Sequence, residues 1–267
     1  MLSQNHFTHK GEPIMTQVLL AVHPSANLSH PQATPAHMAY RIGPGPKLLG
    51  IRLPPQLRGG VMLLEARDWD GSGDVIPCCR QILWECRHRG YSGIVCDFDG
   101  APVGNFSRLV HILDRNCQAQ GWTLDLPAQF SSFAPGGRVL VSSVVTAGSL
   151  RRRVQEAVEK YGAHRTTLAV EWVREDFPLP AQHRGTPISR QHLEGQMKRL
   201  EPAVFYDRGL CGHYYTYMAA GGQAHFVLYD TPQSIHAKVQ LAREMHLGAV
   251  LLPGPEVEGC LDQILTN

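Results

Sequence analysis

No apolar run in this chain approaches the roughly 20 residues that crossing a bilayer requires. Charge of one sign is equally lacking. The 25 Lys and Arg stand against 23 Asp and Glu, and the formal charge of +2 is too small a field to point to nucleic acid or a membrane surface as partner. The seven cysteines include no C-x-x-C pair, only the vicinal Cys78-Cys79, so no structural zinc site is expected. Cys86, Cys96 and Cys117 fall inside helix or strand patterns and read as buried, reduced thiols. The 14 histidines are scattered without the spacing of an H-E-x-x-H ligand set. The glycine pairs Gly136-Gly137 and Gly221-Gly222 read as turns, without phosphate-loop spacing. Neither a metal nor a cofactor is expected, and no serine or cysteine sits in a recognisable nucleophile context.

What is present is a globular chain with 43% hydrophobic and 18% charged residues. Residues 1–15 are polar, lack the apolar core of a signal peptide and read as a disordered leader, with Met15 a second candidate start. From residue 16 to residue 267 the pattern is that of one domain. Apolar runs read as strands at Val18–Val22, Lys47–Leu53, Val61–Ala66, Gly93–Asp97, Trp122–Leu126, Val139–Val145, Thr167–Val173, Phe226–Tyr229 and Ala249–Leu252. Helical spacing separates them from Ile76 to Gly90, Phe106 to Gly121, Leu150 to Gly162, Ser189 to Leu200 and Ser234 to Met245. Alternating strands and helices over 267 residues predict an α/β chain, a single (β/α)8 barrel of TIM type with an irregular first third.

The run Gly93-Ile94-Val95-Cys96-Asp97-Phe98-Asp99-Gly100 carries the most chemistry. Residues i and i+2 of a strand point to the same side, so Asp97 and Asp99 should project together from its carboxyl end. Barrels hold their active sites at that end. A surface strand end with two solvated acids is the plainer alternative.

Ser92-Gly93-Ile94-Val95-Cys96-Asp97-Phe98-Asp99 resembles the D-G-x-D-x-D-x-E that ends the fourth barrel strand of family 18 glycoside hydrolases, notably the bacterial cell-wall and spore-associated branch. Gly93 and Asp97 match the pattern, and Asp99 stands where that family has its glutamate. The run Tyr229-Asp230-Thr231-Pro232-Gln233-Ser234-Ile235-His236-Ala237-Lys238, with Leu247-Gly248-Ala249-Val250 after it, resembles the segment leading into that family's last strand.

The resemblance implies a barrel that hydrolyses or binds N-acetylglucosamine-containing glycan, such as peptidoglycan or chitin; the reduced cysteines would suit a cytoplasmic or spore-associated setting. The implied chemistry is substrate-assisted: the 2-acetamido oxygen is the nucleophile, Asp99 would protonate the leaving oxygen, and Asp97 would orient the acetamide. Three departures weigh against turnover. Asp99 is one methylene shorter than glutamate. The sixth-strand run Val139-Leu140-Val141-Ser142-Ser143-Val144 lacks the family's Tyr-Asp pair, and Val250-Leu251-Leu252-Pro253 lacks its tryptophan. A carbohydrate- or partner-binding barrel that has lost catalysis is therefore the alternative to an enzyme.

Further candidates for glycan contact are Glu65 and Trp69, in a polar loop after a strand; Trp172, which alternation sets opposite Glu171; and the aromatic-acidic residues Tyr206, Asp207 and Tyr229. Each has a structural alternative, Trp69 as a half-buried ring in a paired loop and the tyrosines as a self-packed loop region. Locally, Ile94 to Ala101 also resembles the first motif of haloacid-dehalogenase-like phosphatases, in which Asp97 would be the nucleophile and Asp99 the general acid/base beside magnesium. That reading lacks a later paired-aspartate motif to hold the metal.

Overall fold

The structure is a computed structural model that describes residues 15–26, 28–51, 53–54, 57–145, 148–180 and 185–266. Residues 1–14, nearly all of the expected leader, lie outside the described residues. Eight parallel strands close into a barrel: β1 (Gln17–Val22), β2 (Thr34–Gly43), β4 (Val61–Glu65), β5 (Gly93–Asp97), β6 (Thr123–Pro127), β7 (Arg138–Ser142), β8 (Thr166–Ala169) and β14 (Ala249–Pro253). Pairing of β1 with both β14 and β2 completes the ring.

The second barrel strand was not among the strands expected from sequence, because β2 begins at Thr34-Pro35 in a proline-rich stretch. The expected strand at Lys47–Leu53 is instead β3 (Lys47–Gly50), an antiparallel hairpin partner of β2 outside the ring. The expected runs Val139–Val145 and Thr167–Val173 stop early, at Ser142 and Ala169, where the chain leaves the sheet for the mouth.

Helices α1 (Val75–Arg89), α2 (Phe106–Gln120), α3 (Leu150–Tyr161) and α5 (Pro232–Glu244) join the barrel's outer layer. In α1 the Asp74 side chain caps the first turn, Gly90 ends it in the left-handed region, and Cys78, Cys79, Ile82, Leu83 and Cys86 form its buried stripe. Inside the barrel, alternate residues make a small apolar core of Leu19, Ala21, Ala36, Val61, Leu63, Val95 and Ala249. Near the amino-terminal ends, a bidentate pair of Arg138 and Asp125, joined by Thr167, plugs the interior.

Gly93 is fixed by close approach. A Cβ there would collide with Thr123 Oγ1 on the neighbouring strand, so only glycine lets β5 enter the ring at this height.

Between β8 and β14 the chain builds a second, antiparallel sheet: β9 (Arg174–Pro178), β10 (Thr186–Pro187), β11 (Phe205–Asp207), β12 (Gly212–Met218) and β13 (Ala224–Tyr229), in the order β10-β9-β13-β12-β11. The strand expected at Phe226–Tyr229 therefore exists, but in this sheet and not in the barrel. Helix α4 (Arg190–Leu200) packs on the sheet through Leu193, beside Tyr215, Val227 and Tyr229. Two short helices, α6 (Gly254–Val257) and α7 (Leu261–Leu265), come after β14.

The Asp230 to Lys238 motif ties this insertion to the barrel. Asp230 accepts hydrogen bonds from the Val173 backbone N–H at 2.8 Å and the Ser234 hydroxyl at 2.7 Å, and Lys238 Nζ donates to both its carboxylate oxygens at 2.7–2.8 Å. Both charged side chains are buried, so the motif is a structural clasp between the insertion and α5.

Candidate functional site

Above the apolar core, the inward row turns polar. Register sets Arg41 beside Glu65 and Glu65 beside Asp97 across β2, β4 and β5. Asp97 and Asp99 lie on the same side of the chain, as the i, i+2 spacing predicts, because the intervening Phe98 is buried among Phe106 and Phe130. Arg67, in the loop after β4, reaches both acids: its Nη2 lies 3.4 Å from Asp97 Oδ2 and its Nε 3.2 Å from Asp99 Oδ2. The acids differ in setting. The Asp99 side chain is 71% exposed and that of Asp97 45%.

Burial is the main force on Asp97 and pushes its carboxyl up. Arg67 pulls it down, while the charges of Asp99 and Glu171 push it further up. The Asp97 carboxyl is therefore reluctant to ionise, with Arg67 as the counterweight. Across the opening, Ser142 at the top of β7 donates a 2.7 Å hydrogen bond to Glu171 Oε1. The polar mouth is thus assembled from the ends of β4, β5, β7 and β8 with the loops that succeed them.

The other sequence candidates fall elsewhere. Trp69 is only 4% exposed, its ring lies 4.3 Å from that of Phe106, and its Nε1 donates to the Ser72 carbonyl at 2.8 Å. That burial leaves no ring face for a sugar, so the structural alternative describes Trp69. Trp172 turns away from the mouth, packing on the core between barrel and helices. With Tyr229, Arg174 and Glu256 it lines a cavity of about 540 Å³ between the insertion and α6. Tyr206 and Asp207 sit on β11, the edge of the second sheet. The Tyr206 ring packs near His213, and Asp207 Oδ1 accepts from the Leu210 N–H at 2.8 Å to shape the turn. Asp97, Asp99 and Glu65 are thus brought together; Trp172 and Tyr229 meet instead at the cavity beside α6, and Trp69, Tyr206 and Asp207 join neither group.

Two mouth residues, Arg67 and Glu171, were outside the candidate set. Arg67 carried a signal in its position just after the third barrel strand. Glu171 carried only an ambiguous one, since alternation admits either it or Trp172.

A search of solved structures finds the same architecture repeatedly. A chitinase from Chromobacterium violaceum matches at a TM-score of 0.64 and 18% identity, over 94% of this chain and 99% of that one. The fold is that of the family 18 chitinases. A family 18 chitinase from Cycas revoluta in complex with (GlcNAc)3 matches at 0.58 and 15% identity, over 93% and 97% of the two chains. The Bacillus megaterium spore cortex-lytic enzyme SleL matches at 0.60 and 14% identity, over 96% of this chain and 76% of that one. No protein-family model matches the sequence, and no curated protein does so significantly.

Within the family 18 fold, β5 is the fourth strand of the ring, and its end bears the Asp97–Asp99 pair. The phosphatase resemblance finds no such footing. Its first motif lies on the fourth strand of a closed barrel. Among the described residues, no three His, Cys, Asp or Glu are grouped to hold a metal ion.

Proposed function

We propose that this chain recognises N-acetylglucosamine-containing glycan at the carboxyl-terminal mouth of its barrel and hydrolyses it slowly at best. One observation carries the reading: two carboxylates spaced i, i+2 cap the fourth strand of a barrel whose architecture is that of glycan-acting chitinases and cortex-lytic enzymes. The (GlcNAc)3 bound to the Cycas chitinase supplies the ligand class.

The proposed chemistry is the substrate-assisted scheme, in which the acetamide oxygen attacks the anomeric carbon while a carboxylic acid protonates the departing oxygen. Asp99 occupies the donor's position but has a shorter reach, and Arg67 holds it as an ion pair. A displacement of about 1 Å at the reacting atoms costs about a hundredfold in rate. Both features favour recognition over turnover.

The test pairs calorimetric binding of N-acetylchitotriose with hydrolysis of its fluorogenic chitobioside analogue. Binding that is lost in Asp97→Asn, with hydrolysis near background in wild type, fits the reading. Absence of binding removes it.

A further inference from the structure

The second sheet has two faces with different neighbours. On one, Leu228 lines a small gap with Ser143 and Val144 at the end of β7. On the other, Val227 and Tyr229 lie under α4, beside Leu193. Register sets Arg174 of β9 opposite Tyr229 of β13, and directly opposed residues of an antiparallel pair share a face. The cavity of about 540 Å³ lies on this second face, between the sheet, α4 and α6. Trp172, which turns away from the mouth, is part of its wall, and neither Asp97 nor Asp99 lines it. Its size is within the range of about 300–1,000 Å³ common to small-ligand pockets.

The polar groups of the cavity divide into engaged and unengaged. Arg190 Nε donates to Glu194 Oε1 at 2.8 Å, and both Asp230 oxygens are taken by Lys238, the Ser234 hydroxyl and the Val173 N–H. Three donors have no hydrogen-bond partner among the described residues: the Arg174 guanidinium, the Trp172 indole N–H and the Tyr229 hydroxyl. Tyr229 is the most telling of them, because it is only 8% exposed and a phenol buried that deeply ordinarily finds a partner. One acid is likewise unmatched. Glu256 makes no ion pair among the described residues, and it does not meet Arg174 although the two line the same cavity.

We propose that this cavity is a second ligand site that takes a short zwitterionic peptide, its carboxylate on Arg174 and Tyr229, an apolar side chain against Trp172, and its ammonium on Glu256. The site does not depend on the glycan reading. A guanidinium fork beside a hydroxyl donor matches the two oxygens of a carboxylate. A simple anion would leave Glu256 unmatched, and a simple amine would leave Arg174 so. Since the two charges do not meet each other, the ligand must carry its own charges apart, as a peptide does at its two ends.

The experiment measures calorimetric binding of the tripeptide alanyl-phenylalanyl-alanine, of its N-acetyl form and of its C-terminal amide to the whole chain. Wild type is compared with Arg174→Met, Glu256→Gln and Tyr229→Phe. Wild type should prefer the free peptide to the amide by about tenfold. The preference over the N-acetyl form should be about fivefold at most, because Glu256 is exposed. Arg174→Met should abolish the first preference and Glu256→Gln the second. Tyr229→Phe should weaken free-peptide binding without lowering the thermal unfolding midpoint, since its hydroxyl has no partner to lose.

Absence of saturable binding to wild type overturns the proposal. Equal affinity for the free and blocked peptides overturns it as well, and that comparison needs no variant to fold. An Arg174→Met protein that still discriminates against the amide puts the carboxylate elsewhere and removes the assignment. A Glu256→Gln protein that still discriminates against the N-acetyl form does the same for the ammonium. A Tyr229→Phe protein that unfolds at a clearly lower temperature shows the hydroxyl engaged within the fold, which contradicts the site's geometry.

Discussion

Arg67 Nε stands 3.2 Å from Asp99 Oδ2, so the carboxylate we propose as proton donor is tied to a guanidinium. The same side chain reaches Asp97 at 3.4 Å, so one exposed arginine bridges the two acids. Replacing it should change acid chemistry more than fold.

Arg67→Met removes the one partner that pulls the Asp97 carboxyl down, leaving burial, Asp99 and Glu171 to push it up. The Asp97 midpoint measured by 13C NMR should therefore rise above its wild-type value. Thermal stability should change by no more than about 1 kcal/mol, because ion pairs this exposed contribute little. A midpoint that falls or stays would remove Arg67 from control of the mouth.

Asp97 also has a signature in stability. Its folded carboxyl titrates above the unfolded one, so the folded state binds more protons in the interval between them. Stability from this group is complete below the unfolded value and is lost as pH rises through the folded one. Asp97→Asn should accordingly unfold at a higher temperature than wild type at pH 7, with the advantage shrinking toward pH 3. An Asn variant less stable than wild type at pH 7 would mean that the Asp97 carboxylate is held by favourable contacts.

The clasp between insertion and barrel should be costly to break. Lys238→Met leaves the Asp230 carboxylate buried with, among the described residues, the Val173 N–H and the Ser234 hydroxyl as its hydrogen-bond donors. Loss of about 3–5 kcal/mol is expected in urea unfolding. Adding Asp230→Asn should recover part of it, since the stranded charge is then gone. Additive losses in the double variant would contradict this account of the clasp.

Trp69 separates the structural from the binding role. Its burial against Phe106 predicts that Trp69→Ala costs about 3–5 kcal/mol of stability. Trp69→Phe, which keeps a ring in the slot, should leave glycan affinity unchanged. A Phe variant that stays folded but loses affinity would return Trp69 to the binding surface.

Much of the barrel was legible because its signals are local. The apolar run ending at Asp97, the αL glycines after α1 and α2 and the helix stripes each depend on a few neighbouring residues. The second strand was not legible, since Thr34-Pro35 and Gly43-Pro44 make β2 look like the loop that precedes it. The insertion was hidden for a different reason. Strand signals at Tyr214 to Tyr217 and Phe226 to Tyr229 do not say which sheet they join, and pairing there is long-range.

At the site, the carboxylates on β5 were readable because strand periodicity fixes them. The inward turn of Glu171 was not, because β8 ends at Ala169 and hydrogen bonds to Ser142 and Ser143 set the phase of the next residues. The aromatic residues were misplaced by composition. Rings suited to sugar faces are equally suited to the second sheet and the helix layer, where Tyr229 and Trp172 pack.

The most direct test of the account is turnover of a fluorogenic chitobioside by wild type and Asp99→Glu, measured side by side. The account predicts wild type at or near background, and a gain of up to about a hundredfold when the carboxyl is carried forward by one methylene. Brisk wild-type turnover that Asp99→Asn leaves untouched would contradict it. An Asp99→Glu variant that binds the sugar and remains as slow as wild type would do the same, since reach at this position would then not be what limits the chemistry.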